Sequence, residues 1–401
     1  MKKIILLGLA IIFIVFGFAL IKIQVSAKTN TGNNGYRKIV VWKNNAKDFD
    51  KEKNIKVARG RKVKSLPLIN ATVIVLPDKE SEQAFKNNPY VLRVDDDVVV
   101  EALFKEERLK ILKRTSQPAE TLPWGIDRID AEKVWPLGNT ANSIKVGVID
   151  TGISNKHPDL FANIKGGVNT INPFKSWNDD NGHGSHVAGI IAALDNDIGV
   201  IGAGPQIDLY AIKALGSNGS GYLSDVIEGI DWAIANNMQV INMSLGTTSD
   251  IQSFHEAVIR AKEAGIIVVA AAGNSGAAVN YPAAYPEVIA VSAIDQDNVI
   301  ASWSSRGPEV DLAAPGVSIY STYKGKGYAT LSGTSMAAPH VAGSAALVLN
   351  TPVGSYDANA NGKWDPDELK KKLQDTAIDL GSSGFDNLYG WGLVNAFSAV
   401  Q

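Results

Sequence analysis

Three polar residues in separate motifs carry the side chains that nucleophilic catalysis needs. Asp150 ends the apolar run SIKVGVID, His183 lies between two glycines in NGHGSHVAG, and Ser335 lies in SGTSMAAPHVAG. A serine hydroxyl becomes a nucleophile when an imidazole accepts its proton, and a carboxylate can orient that imidazole and stabilise its charged form. These residue types predict covalent catalysis if the fold brings them together.

Each of these residues also has a simpler interpretation. An Asp after a strand commonly forms a turn, and a Ser at the start of a helix commonly caps it. His183 and His186 could form half of a metal site, although the chain has only five histidines and no third ligand lies nearby in sequence. Around Ser335, small residues leave the hydroxyl uncovered, and the start of the predicted helix offers free N–H groups to an oxyanion.

The elements that must position these residues follow a regular pattern from Pro118 onward. Amphipathic stretches such as YLSDVIEGIDWAIANN predict crossover helices between apolar runs. The alternation predicts an α/β fold with a doubly wound, mostly parallel sheet, in which ligands lie at the carboxyl ends of the strands. The apolar runs, typical of parallel strands buried on both faces, are SIKVGVID, DLYAIKAL, QVINMSL, GIIVVAAA and VIAVSAI.

The residues before this pattern divide into three segments. Residues 1–27 have two lysines near the start, then an apolar run, a third lysine and the tripeptide Val-Ser-Ala, which is typical of a secretory signal peptide. The length of the run leaves an uncleaved membrane anchor open. Residues 36–104 predict a small α+β domain. Residues 105–117 are charged and predict a linker or an exposed helix before the α/β domain of residues 118–401.

Charge and cysteine content exclude several classes of function. Residues 28–117 have a net charge of +8 and residues 118–401 of −13, so the two regions are expected to attract each other. An acidic body argues against binding nucleic acid. The chain has no cysteine, which excludes disulfides and thiolate metal sites.

The motifs DTG, HGSHVAG and GTSMAAPHVAG, in the order Asp, His, Ser, resemble those of the subtilisin-like serine peptidases. The resemblance covers nearly the whole chain from about Pro123. It implies a serine endopeptidase in which Ser335 is the nucleophile, His183 the general base and then acid, and Asp150 the residue that orients the imidazole. It also implies that Asn274, in AAAGNSG, donates its side-chain amide to the oxyanion.

Other functions fit these motifs less well. A non-catalytic binding or inhibitor protein on the same scaffold predicts the loss of at least one of the four residues, and none is lost. An α/β-hydrolase esterase would need a GxSxG turn, whereas Ser335 lies in GTSMA. No motif favours dinucleotide binding.

The resemblance further implies that a protein or peptide substrate adds as a strand between two segments of the enzyme. The pocket for the residue before the cut would be apolar to neutral, so broad specificity with a preference for large apolar residues is expected. Thr247, where many relatives have glycine, leaves the pocket depth open. The matching residues are Gly219, Ser220, Gly221, Ser244, Leu245 and Gly246 for the strands, and Ala271, Ala272, Gly273 and Asn280 with Leu245 for the pocket.

Two segments predict calcium sites, at which Ca²⁺ would stabilise the fold rather than take part in hydrolysis. Residues 357–368 (DANANGKWDPDE) fit the loop pattern D-x-[DN]-x-[DN]-G-x₅-E, with a polar surface loop as the alternative. Its ligands would be Asp357, Asn359, Asn361, the Lys363 carbonyl, Asp365 and Glu368. The second site follows from the resemblance, which implies as ligands Asp159, Asn196 and the carbonyls of Leu194, Ile198 and Val200, with Glu120 as a further candidate.

Residues 36–104 resemble the propeptide of these enzymes. The resemblance implies a zymogen that is inhibited when the propeptide lays its C-terminal tail in the active site. The tail would end near Leu103 or Phe104, either of which suits an apolar pocket, and a second cut within 105–117 would trim the product. The enzyme would be a secreted monomer, or anchored in the membrane outside the cell if residues 1–27 stay attached.

Overall fold

A computed structural model of the chain describes residues 35–104 and 117–401. The predicted signal at 1–27 and all of the predicted linker except Gln117 lie outside the described residues. Within the two described ranges, no helix has both the length and the apolar character needed to cross a bilayer.

Residues 36–96 form a small α+β unit with an antiparallel sheet. Its strands are β1 (Tyr36–Trp42), β2 (Arg61–Leu66), β3 (Ala71–Leu76) and β4 (Val91–Asp96), and its helices are α1 (Asp48–Val57) and α2 (Lys79–Lys86). The strand order is β2-β3-β1-β4. Because side chains alternate along a strand, Val40 and Trp42 pack under the two helices, while Ile39 and Val41 pack against the larger unit that follows.

The larger unit, residues 117–401, is built around a parallel sheet. Its strands, preceded by β5 (Val99–Ala102), are β6 (Lys145–Asp150), β7 (Ile164–Asn169), β8 (Asp208–Lys213), β9 (Ser220–Tyr222), β10 (Val240–Met243), β11 (Leu245–Gly246), β12 (Ile267–Ala271), β13 (Ile289–Ile294), β14 (Leu312–Pro315), β15 (Ile319–Thr322) and β16 (Tyr328–Leu331). Seven of them form the main sheet, in the order β14-β13-β12-β10-β6-β8-β7, and every neighbouring pair is parallel.

Helices cover both faces of this sheet, which confirms the predicted doubly wound α/β fold. They are α3 (Trp124–Arg128), α4 (His183–Ala192), α5 (Leu223–Ala235), α6 (Gln252–Glu263), α7 (Thr334–Leu349), α8 (Pro366–Asp375) and α9 (Ala396–Ala399). Val146 and Val148 of β6 pack with α4 and α7, whereas Ile149 packs on the opposite face with α5 and α6. Burial on both faces explains why the strand sequences are continuously apolar.

Strand β5 leaves the small unit and pairs with the larger one. It lies between β9 and β11 and is antiparallel to both. The sequence pattern predicts one strand region through residues 91–103, and the structure divides it at Asp97. The carboxylate of Asp97 accepts a hydrogen bond from the Ser224 N–H at 2.8 Å, which fixes this division point on the larger unit.

The packing of α6 against the sheet generates a stability prediction. Phe254 is fully buried, and its ring meets Tyr285 edge-on with centroids 5.9 Å apart. Phe254→Ala should lower the free energy of unfolding by about 3–5 kcal/mol, because the missing ring leaves a cavity. Phe174→Ala is the matched control, since that ring is 97% exposed, and it should change the value by less than about 0.5 kcal/mol. Similar losses for both variants in urea denaturation would contradict this packing.

Candidate active site

The four residues predicted to be catalytic meet near one edge of the main sheet. Asp150 is the last residue of β6, and Asn274 follows the end of β12. His183 is the first residue of α4, and Ser335 is the second residue of α7. Parallel strands bring their carboxyl ends to the same edge, so residues far apart in sequence become neighbours.

The imidazole of His183 is hydrogen-bonded to the carboxylate of Asp150. Nδ1 lies 2.8 Å from Oδ1 and 2.9 Å from Oδ2, and both side chains are fully buried. Because a carboxylate accepts hydrogen bonds, Nδ1 carries the proton and Nε2 keeps a free lone pair. Nε2 has no hydrogen-bond partner among the described residues. The ring is therefore arranged to act as a base through Nε2.

The hydroxyl of Ser335 donates to the carbonyl oxygen of Ser244 at 2.8 Å rather than to His183. In return, the Ser244 hydroxyl donates to the Ser335 carbonyl oxygen at 2.9 Å. Hydrogen bonds between a nucleophile and its base are often unformed outside the reacting complex. The Ser335 hydroxyl must leave this hydrogen bond before His183 can accept its proton.

The carbonyl oxygen of Leu103 lies where an oxyanion could be stabilised. The Ser335 N–H donates to it at 3.2 Å, at the start of a 16-residue helix whose dipole favours negative charge. The Nδ2 atom of Asn274 is buried and has no partner among residues 35–104 and 117–401. A Cβ placed on Gly333 would lie 2.5 Å from the Leu103 oxygen and 3.2 Å from that Nδ2. Glycine at 333 thus keeps this space open.

The sequence identifies Gly333 and Thr334 only as small residues that leave the Ser335 hydroxyl uncovered, and does not predict their roles beside Asn274. Thr334 fixes the Asn274 amide, because its N–H and its hydroxyl both donate to Asn274 Oδ1 at 2.9 Å. An amide held by its oxygen has its nitrogen directed away from that contact, so Nδ2 is left as a donor without a partner among the described residues. The available signal was the GTS sequence itself, in which a hydroxyl residue directly precedes Ser335.

The chain fills its own cleft with β5 and the two residues that follow. The predicted strand segments flank it: the Ala102 N–H donates to the Gly219 carbonyl at 2.9 Å and the Leu103 N–H to the Ser244 carbonyl at 3.2 Å. The rings of Phe104 and His183 are in contact, with centroids 4.7 Å apart. The Leu103–Phe104 peptide bond therefore lies beside both Ser335 and His183.

The side chain of Leu103 enters the region predicted as a pocket. A Cβ on Gly246 would lie 3.0 Å from Leu103 Cδ1 and 3.2 Å from Asn280 Cβ. Asn280 is held by its N–H, which donates to the Ala272 carbonyl at 2.8 Å, and Ala271 and Ala272 are fully buried. Gly273 closes the same wall, since a Cβ there would lie 3.1 Å from Asn280 Cγ. All of these lining residues are uncharged.

Thr247 joins the two walls of the pocket through its backbone. Its N–H and carbonyl exchange hydrogen bonds with those of Tyr281, both at 2.9 Å. The side chain accepts from the Ser249 N–H at 3.3 Å. The Thr247 hydroxyl is thus hydrogen-bonded within its own loop.

The predicted calcium ligands around Asp159 lie together. Asp159 accepts hydrogen bonds from Asn196 Nδ2 and the Val200 N–H, both at 3.0 Å, and Glu120 accepts from the Asn196 N–H at 2.8 Å. Burial raises the pKa of Asp159 to about 7 and also raises that of Glu120. Buried oxygen donors of this kind suit Ca²⁺, whose charge would offset the burial. Leu194 and Ile198 also lie here: the Leu194 N–H donates to the Asp159 carbonyl at 3.0 Å, and the Ile198 N–H donates to Asn196 Oδ1 at 3.1 Å.

The loop 357–368 folds back on Asp357. The N–H groups of Asn361 and Gly362 both donate to its carboxylate at 2.9 Å, and Gly362 has a φ of 73°, which glycine adopts freely. The largely buried Glu368 accepts from the Asp365 N–H at 3.0 Å, which also caps α8. The other predicted ligands are linked by hydrogen bonds within the loop: Asn359 donates its amide to the Asp365 carboxylate, and the Lys363 N–H donates to Asn361 Oδ1. The oxygen-bearing side chains of the loop fit a Ca²⁺ site. The helix cap made by Glu368 is equally consistent with the alternative, a polar surface loop without a metal.

Both candidate sites combine carboxylates with amide and carbonyl oxygens. In the part of the chain that the structure describes, no group of three or more His, Asp and Glu side chains could hold a metal ion. His186 does not form a pair with His183, because its Nε2 lies 3.0 Å from the Ile319 carbonyl oxygen and 3.1 Å from that of Ala329. Burial lowers the pKa of His186 to about 3, so its ring is neutral.

Comparison with known proteins agrees with this arrangement. Residues 141–392 match the family model described as the Subtilase family. The chain is 48% identical over 302 residues to the thermostable alkaline protease of Halalkalibacterium halodurans, which covers 75% of this chain and 80% of that protein. It is 40% identical over 408 residues to subtilisin J of Geobacillus stearothermophilus, covering 99% and 97% of the two chains. It is 40% identical over 362 residues to the minor extracellular protease Epr of Bacillus subtilis, covering 89% and 53%.

The matched residues contain the Asp150–His183 pair, Asn274 and Ser335, and they include all seven strands of the main sheet. Sequence similarity over most of the chain and the geometry at the sheet edge lead to the same assignment. The chain belongs to the subtilase family and is a subtilisin-like serine peptidase.

Proposed function

We propose that this peptidase is a secreted endopeptidase of broad specificity that is made as a self-processing zymogen. The observation that carries the proposal is the position of the Leu103–Phe104 bond, whose carbonyl oxygen accepts from the Ser335 N–H at 3.2 Å. The Phe104 ring contacts His183 on the other side of that bond. A chain that presents its own peptide bond to its own nucleophile is able to cut itself there.

Hydrolysis would proceed through an acyl-enzyme. Ser335 Oγ attacks the carbonyl carbon while His183 Nε2 accepts the hydroxyl proton, and Asp150 stabilises the resulting imidazolium. The Ser335 N–H and Asn274 Nδ2 stabilise the oxyanion, and one such donor is worth about 2.7–4 kcal/mol. As the C–N bond breaks, His183 gives the proton to the leaving amine. Water, deprotonated by His183, then attacks the acyl group and releases Ser335.

The pocket supports a preference for large apolar residues before the cut. Leu103 lies against Gly246 and the wall formed by residues 271–273 and 280, none of which is charged. A lysine or arginine side chain would find no carboxylate among these residues to compensate for its desolvation. The hydrogen bonds to Gly219 and Ser244 use only the substrate backbone, which supports broad specificity along the rest of the substrate strand.

Residues 36–104 would act as the intramolecular inhibitor of the enzyme. Besides β5, they contact the starts of α5 and α6 through charged side chains. Arg93 binds Glu256 with two hydrogen bonds of 2.7 and 2.8 Å, and Lys64 binds Asp225 and Glu228. The net charges of +8 and −13 on residues 28–117 and 118–401 favour the same association.

Export and maturation complete the proposal. Residues 1–27 would direct secretion, which the name of the related extracellular protease Epr supports. After the first cut, trimming within 105–117 would give the N-terminus of a monomeric enzyme acting on proteins and peptides. Retention of residues 1–27 would instead leave the precursor anchored in the membrane outside the cell.

Calcium would stabilise the folded enzyme at two sites. One is the site around Asp159, where Glu120 connects the segment after the linker to the loop at 194–200. The other is the loop 357–368, where a bound ion would hold the start of α8. Binding to the folded state alone stabilises it by mass action, and neither site touches the reacting bond.

Removing the nucleophile tests the catalytic assignment. Ser335→Ala should leave a full-length precursor after export, because no other group can attack the Leu103–Phe104 bond. Ser344→Ala is the matched control in the same helix, since this buried hydroxyl only donates to the His340 carbonyl at 2.9 Å; that variant should mature normally. Mass spectrometry of the purified products distinguishes the two. Normal processing of the Ser335→Ala chain would refute the triad.

The apolar pocket predicts how processing depends on residue 103. Leu103→Asp should slow cleavage of the 103–104 bond by at least about 100-fold, because it places an unpaired charge in an apolar pocket. Leu103→Met keeps size and polarity and should be cut at a similar rate. The rate is measured by following the precursor with time. Sequencing the products of an unfolded protein gives an independent check, and a majority of cuts after Lys or Arg would contradict the pocket.

The loop 357–368 predicts one calcium ion of its own. An Asp357→Ala/Glu368→Ala variant, in the Ser335→Ala background to prevent autolysis, should bind one Ca²⁺ fewer in a calorimetric titration. Asp379→Ala is a control outside the loop and should keep the full stoichiometry. An unchanged number of bound ions in the double variant would support the polar-loop alternative.

A further inference from the structure

Asp179 is a second buried carboxylate close to the catalytic pair, and the proposed mechanism gives it no role. It lies shortly before His183 and is only 4% exposed. Its two oxygens accept five hydrogen bonds and face only donors. Oδ1 accepts from the N–H groups of Asn181 and Gly182 and from the Thr151 hydroxyl, all at 2.9 Å, and Oδ2 accepts from the Ser185 N–H at 3.0 Å and the Ser185 hydroxyl at 2.6 Å.

The helix that begins at His183 has no side-chain cap of its own. Its N-cap residue is Gly182, where a Cβ would lie 2.3 Å from the ring of Tyr323, so no larger residue fits. The first N–H groups of a helix need acceptors. Asp179 accepts from the N–H groups of Gly182 and Ser185 from outside the helix, while Asn181 Oδ1 accepts from the His183 N–H at 3.0 Å.

Asp179 also holds the loop that follows Asp150. Thr151 donates its hydroxyl to Asp179 and accepts from the Gly184 N–H at 2.9 Å, while its own N–H donates to Asp150 Oδ1 at 2.7 Å. A Cβ on Gly184 would lie 2.2 Å from the Gly152 carbonyl oxygen. The loop and the first turn of α4 are thus packed together without free space.

We propose that Asp179 is the positioning residue of the Asp150–His183 pair. Asp179 is linked to Asp150 through Thr151 and to His183 through the first turn of α4. It therefore sets the distance between His183 Nδ1 and the Asp150 carboxylate. The inference rests on the proposed catalytic triad. Since both Asp179 oxygens face donors, an amide at this position turns its NH₂ group toward a donor in either orientation.

Thr151 allows a test that preserves the fold. Thr151→Val removes the hydroxyl at nearly constant volume, and Thr151→Ser keeps it. With active sites titrated in the matured enzyme, Thr151→Val should lower kcat about 10-fold to 100-fold with KM within about twofold, because small misplacements at a reacting centre cost about this much. Thr151→Ser should recover most of kcat. An unchanged kcat in Thr151→Val, or an equal fall in both variants, would overturn the proposal.

Asp179→Asn tests the carboxylate itself, with Asp311→Asn as matched control. Asp311 is 9% exposed and accepts from the Ala290 N–H, Gln374 and Lys370, all at 2.9 Å, away from the catalytic pair. Both variants should lose unfolding free energy, but only Asp179→Asn should lower kcat. An equal fall of kcat in the control would show a structural effect alone.

If the Asp179→Asn precursor does not mature, the same question is answered in the inactive Ser335→Ala chain. The proton on His183 Nδ1, observed by NMR at low field, should move upfield or be lost by exchange in Asp179→Asn and stay unchanged in Asp311→Asn. An unchanged resonance in both would overturn the inference. Normal processing of Ser335→Ala would instead refute the triad, so the two failures are distinguishable.

Discussion

The catalytic geometry depends on holding the end of β6 and the start of α4 within hydrogen-bonding distance. Asp150 and His183 are 33 residues apart in sequence, yet their side chains meet at 2.8 Å. A parallel sheet makes this possible because its strand ends and the helices that follow share one edge. Close packing then removes the remaining freedom: Gly152 has a φ of 103° and a Cβ there would lie 2.2 Å from the Trp177 carbonyl oxygen.

The same edge explains how one chain contains both an enzyme and a strand that occupies its cleft. The cleft between β9 and β11 presents backbone donors and acceptors that a third strand can pair with, and β5 is that strand. The side chain of Leu103 makes a separate contact, at the wall formed by Gly246 and Asn280. Recognition of the main chain and recognition of the side chain are carried by different parts of the site.

Much of this architecture could be predicted from sequence, because apolar runs and crossover helices specify the sheet locally. The three motifs likewise identified Asp150, His183 and Ser335 by residue type. The sequence does not predict which hydrogen-bond partners these side chains have. The Ser335 hydroxyl donates to Ser244 rather than to His183, and Thr334 turns the Asn274 amide, and both depend on contacts between distant segments. The division of the strand pattern at Asp97 was missed for the same reason, since its partner Ser224 lies 127 residues away.

The starts of α5 and α6 give the small unit a further significance. Neither helix has a side-chain cap of its own, and the N–H groups of Ser224 and Ser253 are bound by Asp97 and Asp95 of the preceding segment at 2.8 and 3.1 Å. A nascent body without that segment must order both helix starts with water alone as partner. Separation of the small unit from the larger one would therefore remove both acceptors together, in addition to removing β5 from the cleft.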